Sequence, residues 1–210
     1  MASCSSSVEA APPVREPRQT YADLIARCRF PHDPRCVAIA CCLAQALAEG
    51  RQPLVRGLDE AQFGQMLRSC FSGLVLRNGA PPRRDDGALD EFDDLLALLL
   101  EHRAEATPIN AWLSCCVASA SLYERHLWQD MGLPDRSALS RLLRSIYPEL
   151  AARNVDDMKW KKFFYRQLCQ RAGLTVCKSP NCGDCSDYAA CFGPEDSPRD
   201  LWRTVAVPAR

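Results

Sequence analysis

Residues 154–195 read NVDDMKWKKFFYRQLCQRAGLTVCKSPNCGDCSDYAACFGPE, and the two halves of this stretch follow different rules. In the first half Trp160, Phe163, Phe164 and Leu168 recur at three- and four-residue steps, which lines one face of an α-helix and obliges that face to bury. Asn154 is placed to cap this helix with Asp157 at the third position, and Gly173 offers the exit. In the second half, from Cys177 to Arg210, no helical period is visible. Four cysteines fall instead in the run CKSPNCGDCSDYAAC, spaced C-x4-C-x2-C-x5-C.

Working back toward the N-terminus, the chain reads as helix upon helix. Thr20 with Asp23 resembles a capping box opening a short helix that carries Leu24, Ile25 and Cys28. Asp33 before Pro34 starts the next, and Gly50 ends it. A third helix is expected from about Asp59 to Phe71, before the loop of Asn78, Gly79, Pro81 and Pro82. Leu89, Phe92, Leu95, Leu96 and Leu99 mark a fourth over Ala88 to Ala104. Thr107 and Pro108 open a long helix through about Trp128, and Gly132 and Pro134 break the chain before one at Arg136 to Tyr147. With no alternating strand pattern, the fold expected is all-α: a single helical domain of six or seven helices over 19–176, a metal-binding cysteine loop over 177–191 and an irregular tail over 192–210. Residues 1–18, rich in Ser, Ala and Pro, are expected to form a disordered arm.

Composition narrows the function. Lys plus Arg and Asp plus Glu each number 26, so no overall field favours nucleic acid or an anionic membrane. The longest apolar run, Leu95 to Leu100, is far short of a membrane span, and the first residues lack a secretory pattern, so a cytoplasmic protein is expected. Thirteen cysteines in that compartment stay reduced, and their clustering then points to metal rather than to disulfides.

The loop from Cys177 to Cys191 has too few apolar groups to order itself, and four thiolates brought together repel unless a cation neutralises them. A metal answers both demands, with Cys177, Cys182, Cys185 and Cys191 as ligands. Zinc sites usually join two C-x2-C pairs, and here only Cys182 and Cys185 form one. The C-x4-C-x2-C part is seen in plant-type ferredoxins, so spacing favours an iron–sulfur centre while leaving zinc open.

The whole stretch from Asn154 to Glu195, with its MKWKKFFYRQLC helix, its cysteine spacing and the trailing CFGPE, closely resembles the signature of the NifQ family of nitrogen-fixation proteins. The segment HLWQDMGL at His126 to Leu133 is similar to that family too, with Met131 where a Leu is more familiar. The resemblance implies a molybdenum–iron–sulfur protein that processes molybdenum and donates it for the iron–molybdenum cofactor of nitrogenase. It implies as partners the nitrogenase iron protein and the cofactor scaffold, with molybdate or a molybdenum–sulfur species as cargo. A metal donor rather than a turnover enzyme is expected. The readings from other classes are a zinc-stapled interaction module and an Fe–S redox enzyme acting on molybdate.

Around the cysteines, Lys159, Lys161, Lys162, Arg166 and Lys178 form a basic rim for docking an anion or an acidic partner. The chain's four lysines all lie in this group against 22 arginines in the chain, although a solvated face explains most charge runs. His126 is an accessory candidate for completing a metal shell or delivering a proton, and equally suited to bonding a carbonyl. Cys169 is a second accessory candidate. Cys41, Cys42, Cys115 and Cys116 are adjacent pairs whose side chains diverge by about 100° on a helix, which suits small core residues better than a second metal site. Cys28 and Cys70 are read the same way.

Overall fold

The computed structural model of the chain describes residues 17–80, 88–174, 182 and 185–195. The architecture is all-α, with ten helices among the described residues: α1 (Pro17–Ala26), α2 (Pro34–Ala48), α3 (Glu60–Cys70), α4 (Ala88–Glu101), α5 (Pro108–Ser121), α6 (Leu127–Asp130), α7 (Arg136–Ile146), α8 (Pro148–Ala152), α9 (Trp160–Arg171) and α10 (Tyr188–Phe192). The count exceeds the expected six or seven because short helices escape a periodicity reading. α6 has 4 residues and α8 and α10 have 5 each.

Where start signals are local, the boundaries follow them. Asp33 accepts from the Arg35 amide with Pro34 behind it, and Asp59 and Gln62 bond reciprocally in a capping box. Asp135 accepts from Ala138 at the start of α7. Three expectations need correction. α1 starts at Pro17, so Thr20 lies within it rather than at its cap and the first helix reaches into the stretch expected to be an arm. The helix opened at Pro108 stops at Ser121 rather than near Trp128, because a tertiary contact ends it: Leu122 and Tyr123 close the last turn by bonds to Ser119 and Ala120, and Lys161 Nζ donates to the Tyr123 carbonyl. Asn154 does not cap α9. Its amide side chain braces Met158 in both directions, accepting from Met158 N and donating to Met158 O at 2.9 Å each, and Lys159 takes the cap position.

α2 and α5 cross at the centre and are buried almost all round, as expected of helices without a polar face. Their contact surface is made of small side chains. Cys42 Sγ lies 4.0 Å from the Cys116 carbonyl, and Cys41, Cys42, Cys115 and Cys116 are all buried, in line with their reading as core residues. Gly132, after α6, has φ +66, and a Cβ there would meet the Cys41 carbonyl at 2.7 Å, so the turn ending HLWQDMGL sits directly on α2. Met131 beside it is fully buried. α9 packs its Trp160, Phe163 and Phe164 into the body against α4, and Trp160 Nε1 donates to Ser140 of α7 at 2.9 Å. The expected helix face is therefore the one that buries, with Leu168 at its half-buried edge. No described helix is long and apolar enough to cross a membrane.

Candidate metal centre

Cys177 and Lys178 lie outside the described residues, as do residues 1–16 and 196–210. Cys182, Cys185 and Cys191 are described as free, half-buried thiols. Local turns set their backbone: the Cys185 amide donates to the Cys182 carbonyl at 3.2 Å, and the Tyr188 amide to the Cys185 carbonyl at 3.0 Å, after which α10 carries Cys191. This short helix was not legible in the sequence, since five residues leave no room for a period to repeat. Among the described residues no three His, Cys, Asp or Glu side chains lie close enough together to hold a metal ion.

The cysteine segment is fastened to the start of α9 by one residue used twice. Lys159 N donates to the Cys191 carbonyl at 2.8 Å, and Lys159 Nζ donates to the Ala189 carbonyl at 3.1 Å. Both acceptors are last-turn carbonyls of α10, where a nearby cation is favourable, and the Ala189 carbonyl also accepts from the Gly193 amide at 2.9 Å. Arg166, further along α9, places its guanidinium 4.0 Å from Cys182 Sγ. A cation at that distance offsets the negative charge of any thiolate cluster gathered beside it. The thiol donor set, free of disulfides and beside a guanidinium, fits a soft metal or iron–sulfur group. Cys169 lies in the last turn of α9, half-buried, its carbonyl accepting from Leu174.

The other basic residues have distinct roles. Lys161 is not a free rim charge: its ammonium bonds Asp130 at 2.6 Å as well as the Tyr123 carbonyl. Burial pushes its pKa down and the Asp130 carboxylate pulls it back up. Lys162 is exposed, with no partner among the described residues.

Asp130 and Glu195 are structural anchors that the sequence reading missed. The Asp130 side chain is 1% exposed and receives Arg51 at 3.0 Å, Lys161 at 2.6 Å and Arg125 at 3.1 Å, while Arg51 also lies 3.7 Å above the Tyr123 ring. Glu49 pairs with both arginines. This buried network ties the end of α2, the loop before α6 and the start of α9 into one block. Glu195, in the CFGPE run, has a side chain only 6% exposed and lies 3.7 Å from His126 Nδ1 and 3.3 Å from Arg136 Nε. The fold thus brings the HLWQDMGL and CFGPE stretches together. The available signal was an acid inside each of those two stretches, but its partners lie far away in sequence.

The NifQ family model matches residues 38–193. The chain is 39% identical to Protein NifQ of Azotobacter vinelandii over 155 residues, covering 68% of this chain and 80% of the relative. It is 40% identical to Protein NifQ of Rhodobacter capsulatus over 163 residues, covering 75% and 89% respectively. Over 77 residues, 36% of this chain and 46% of the relative, it is 46% identical to Protein NifQ of Klebsiella pneumoniae. No solved structure matches the chain.

Proposed function

The chain belongs to the NifQ family of nitrogen-fixation proteins, and from that premise we propose that it is a molybdenum–iron–sulfur protein that processes molybdenum and hands it on for assembly of the iron–molybdenum cofactor of nitrogenase. Cys177, Cys182, Cys185 and Cys191 are the ligands in this reading. The observation that supports it best is the mounting of the cysteine segment: half-buried, unpaired thiols at the edge of a rigid helical body, clipped to α9 through Lys159 and faced by Arg166. A donor site has to be ordered enough to hold its cargo and open enough to release it. A site inside the α2–α5 crossing would satisfy only the first requirement.

Each residue then has a physical task. The thiolates hold the group, and Arg166 lowers the cost of gathering negative charge. Lys159 keeps Cys191 against the body. An iron–sulfur unit bound there supplies sulfide with which molybdenum can bond. The partners in this reading are the nitrogenase iron protein and the cofactor scaffold.

The test is anaerobic purification of the chain with iron, molybdenum, sulfide and zinc measured per chain, followed by incubation with the acceptor scaffold. Iron with sulfide, and molybdenum that moves to the scaffold, is the expected result. Stoichiometric zinc without iron would replace the donor reading with that of a zinc-stapled module.

A further inference from the structure

Three further thiols meet where α1, α2 and α3 join. Cys28 sits in the turn that follows α1, Cys36 in the first turn of α2, and Cys70 is the last residue of α3. The backbone holds the outer two side by side. Cys28 and Phe71 form an antiparallel bridge, the Arg29 amide donates to the Cys70 carbonyl at 2.8 Å, and the Ser72 amide donates to the Arg27 carbonyl at 2.7 Å. Arg27 and Arg29 repeat the fastening with their side chains, which donate to the carbonyls of Gly73 and Phe71. Cys36 is the central member, its thiol in hydrogen-bonding contact with those of both Cys28 and Cys70.

Access separates this trio from the thiols of the α2–α5 crossing. Cys36 and Cys70 are 0% and 1% exposed, while Cys28 is half-buried and open to solvent on one side. Cys42 and Cys116 also contact each other, but both are buried, and so are the neighbouring thiols of Cys115 and Cys70. All three members of the trio are free thiols. Burial raises the Cys28 thiol above its ordinary range, with the Asp33 carboxylate adding to the effect, and the contact with Cys70 raises the Cys36 thiol. Cys28 therefore rests protonated and exchanges slowly, which suits a response to sustained oxidation better than fast catalysis.

We propose that Cys28, Cys36 and Cys70 form a site of reversible oxidative modification, with Cys28 as the port for a small soluble disulfide and Cys36–Cys70 as the bond finally formed. Cys28 loses its proton and its sulfur attacks one sulfur of the external disulfide, whose S–S bond breaks; a mixed disulfide stays on Cys28 and one external thiol leaves with the proton. Cys36 then attacks the Cys28 sulfur, and the second external thiol leaves with the Cys36 proton. Cys70 attacks Cys36 in turn, giving Cys36–Cys70 and returning Cys28 as a thiol with the proton of Cys70. In sum two protein thiols lose two electrons and two protons, and one external disulfide becomes two thiols. The product bond is buried, so its reduction retraces the route through Cys28. It also joins the end of α3 to the central helix α2, which restrains the chain between them and makes the oxidised form harder to unfold. The site stands apart from the C-terminal cysteines and does not rest on the donor reading.

The experiment equilibrates the full chain, purified anaerobically with its iron content measured, in a series of reduced and oxidised glutathione mixtures. Samples are quenched with acid, alkylated, and every disulfide and adduct is mapped by mass spectrometry, with those at Cys177, Cys182, Cys185 and Cys191 scored separately. In wild type Cys36–Cys70 should form with unchanged helical content by circular dichroism, and reducing mixtures should restore all three thiols. The oxidised chain should melt at a higher temperature than the reduced one. Cys28→Ser, at a half-exposed position, should slow formation of the buried bond roughly ten-fold while leaving the melting of the reduced chain near wild type. Cys36→Ala should leave glutathione on Cys28 alone among the cysteines of the helical body, whereas an unfolded chain would carry it on all of them. Cys36 and Cys70 remaining thiols in every mixture, or pairing only as helical content is lost, overturns the site. Equal rates in wild type and Cys28→Ser overturn the port, and oxidation of Cys42 with Cys116 to the same extent overturns the choice of this trio.

Discussion

Two groups of cysteines that spacing already set apart in the sequence also differ in their surroundings. At the α2–α5 crossing, Cys41, Cys42, Cys115 and Cys116 are at most 5% exposed and pack as small apolar groups. Burial pushes the Cys41 and Cys115 thiols up to about 12, so they stay protonated and chemically quiet. At the C-terminal edge, Cys182, Cys185 and Cys191 are half-buried on a segment clipped to the body by hydrogen bonds to Lys159. Surroundings, more than sequence density, assign the chemistry of a thiol: the same residue serves as filler in one place and as a proposed ligand in the other.

The sharpest way to break that contrast is to delete one thiol from each population. Cys191→Ala should lose nearly all bound iron, since a four-cysteine set has no spare ligand, with little change in thermal stability because the residue lies outside the core. Cys116→Ala should retain iron and cost about 1 kcal/mol, the scale of one buried methylene-sized group with its small cavity. Metal analysis and thermal denaturation of the pair measure both. Equal iron loss in the two variants would mean that the ligands are misassigned.

The next effect concerns the block between the two regions. Asp130→Ala leaves Arg51 and Lys161 buried without their shared carboxylate and should destabilise the fold by ~3–5 kcal/mol, measured by urea unfolding. Iron per folded chain should remain near wild type. If iron falls in step with Asp130, the separation between a structural body and a metal-bearing edge is wrong.

A smaller effect follows from the core thiols. The folded pKa values of Cys41 and Cys115 are raised above the unfolded value of about 8.5, so the stability these two thiols contribute is fully present below that value and is lost as pH rises toward about 12. Unfolding followed across the alkaline range should show this decline, and Cys115→Ala should flatten it. The smallest effect is at a cap. Asp33→Ala should cost about 1 kcal/mol through loss of its bond to the Arg35 amide. The Arg35 side chain, by hydrogen bonding, holds the Asp33 carboxyl below its ordinary range, so its contribution is present above the usual carboxylate pKa and fades as pH falls through the folded one. Acid and base titrations of these two variants should therefore deviate from wild type at opposite ends of the scale.

These outcomes also show what could be read in advance. The start of α2 was legible because Asp33, Pro34 and the target amide of Arg35 are adjacent in sequence, and that of α7 because Gly132 and Pro134 break the chain before it. The buried face of α9 was legible because aromatic residues repeat at helical spacing. The end of α5 was not, since what stops it is Lys161, 38 residues from the Tyr123 carbonyl that it takes. Asp130 and Glu195 escaped for the same reason: a buried acid is intelligible only once its cations, drawn from other elements, are in place. The lysine cluster at the start of α9 was visible, yet local sequence could not show that Lys161 is committed to Asp130 while Lys162 has no partner among the described residues.

The Lys159 clip gives the protein a built-in reporter. The amide hydrogen of Lys159 is shielded through its bond to Cys191, so its exchange with deuterium requires α10 to lift from α9. That single amide, followed by nuclear magnetic resonance, times the opening of the cysteine segment while the amides of α2 and α5 time the unfolding of the whole body. A cargo that grips the thiolates should slow the first clock, so loading and release can be watched one proton at a time.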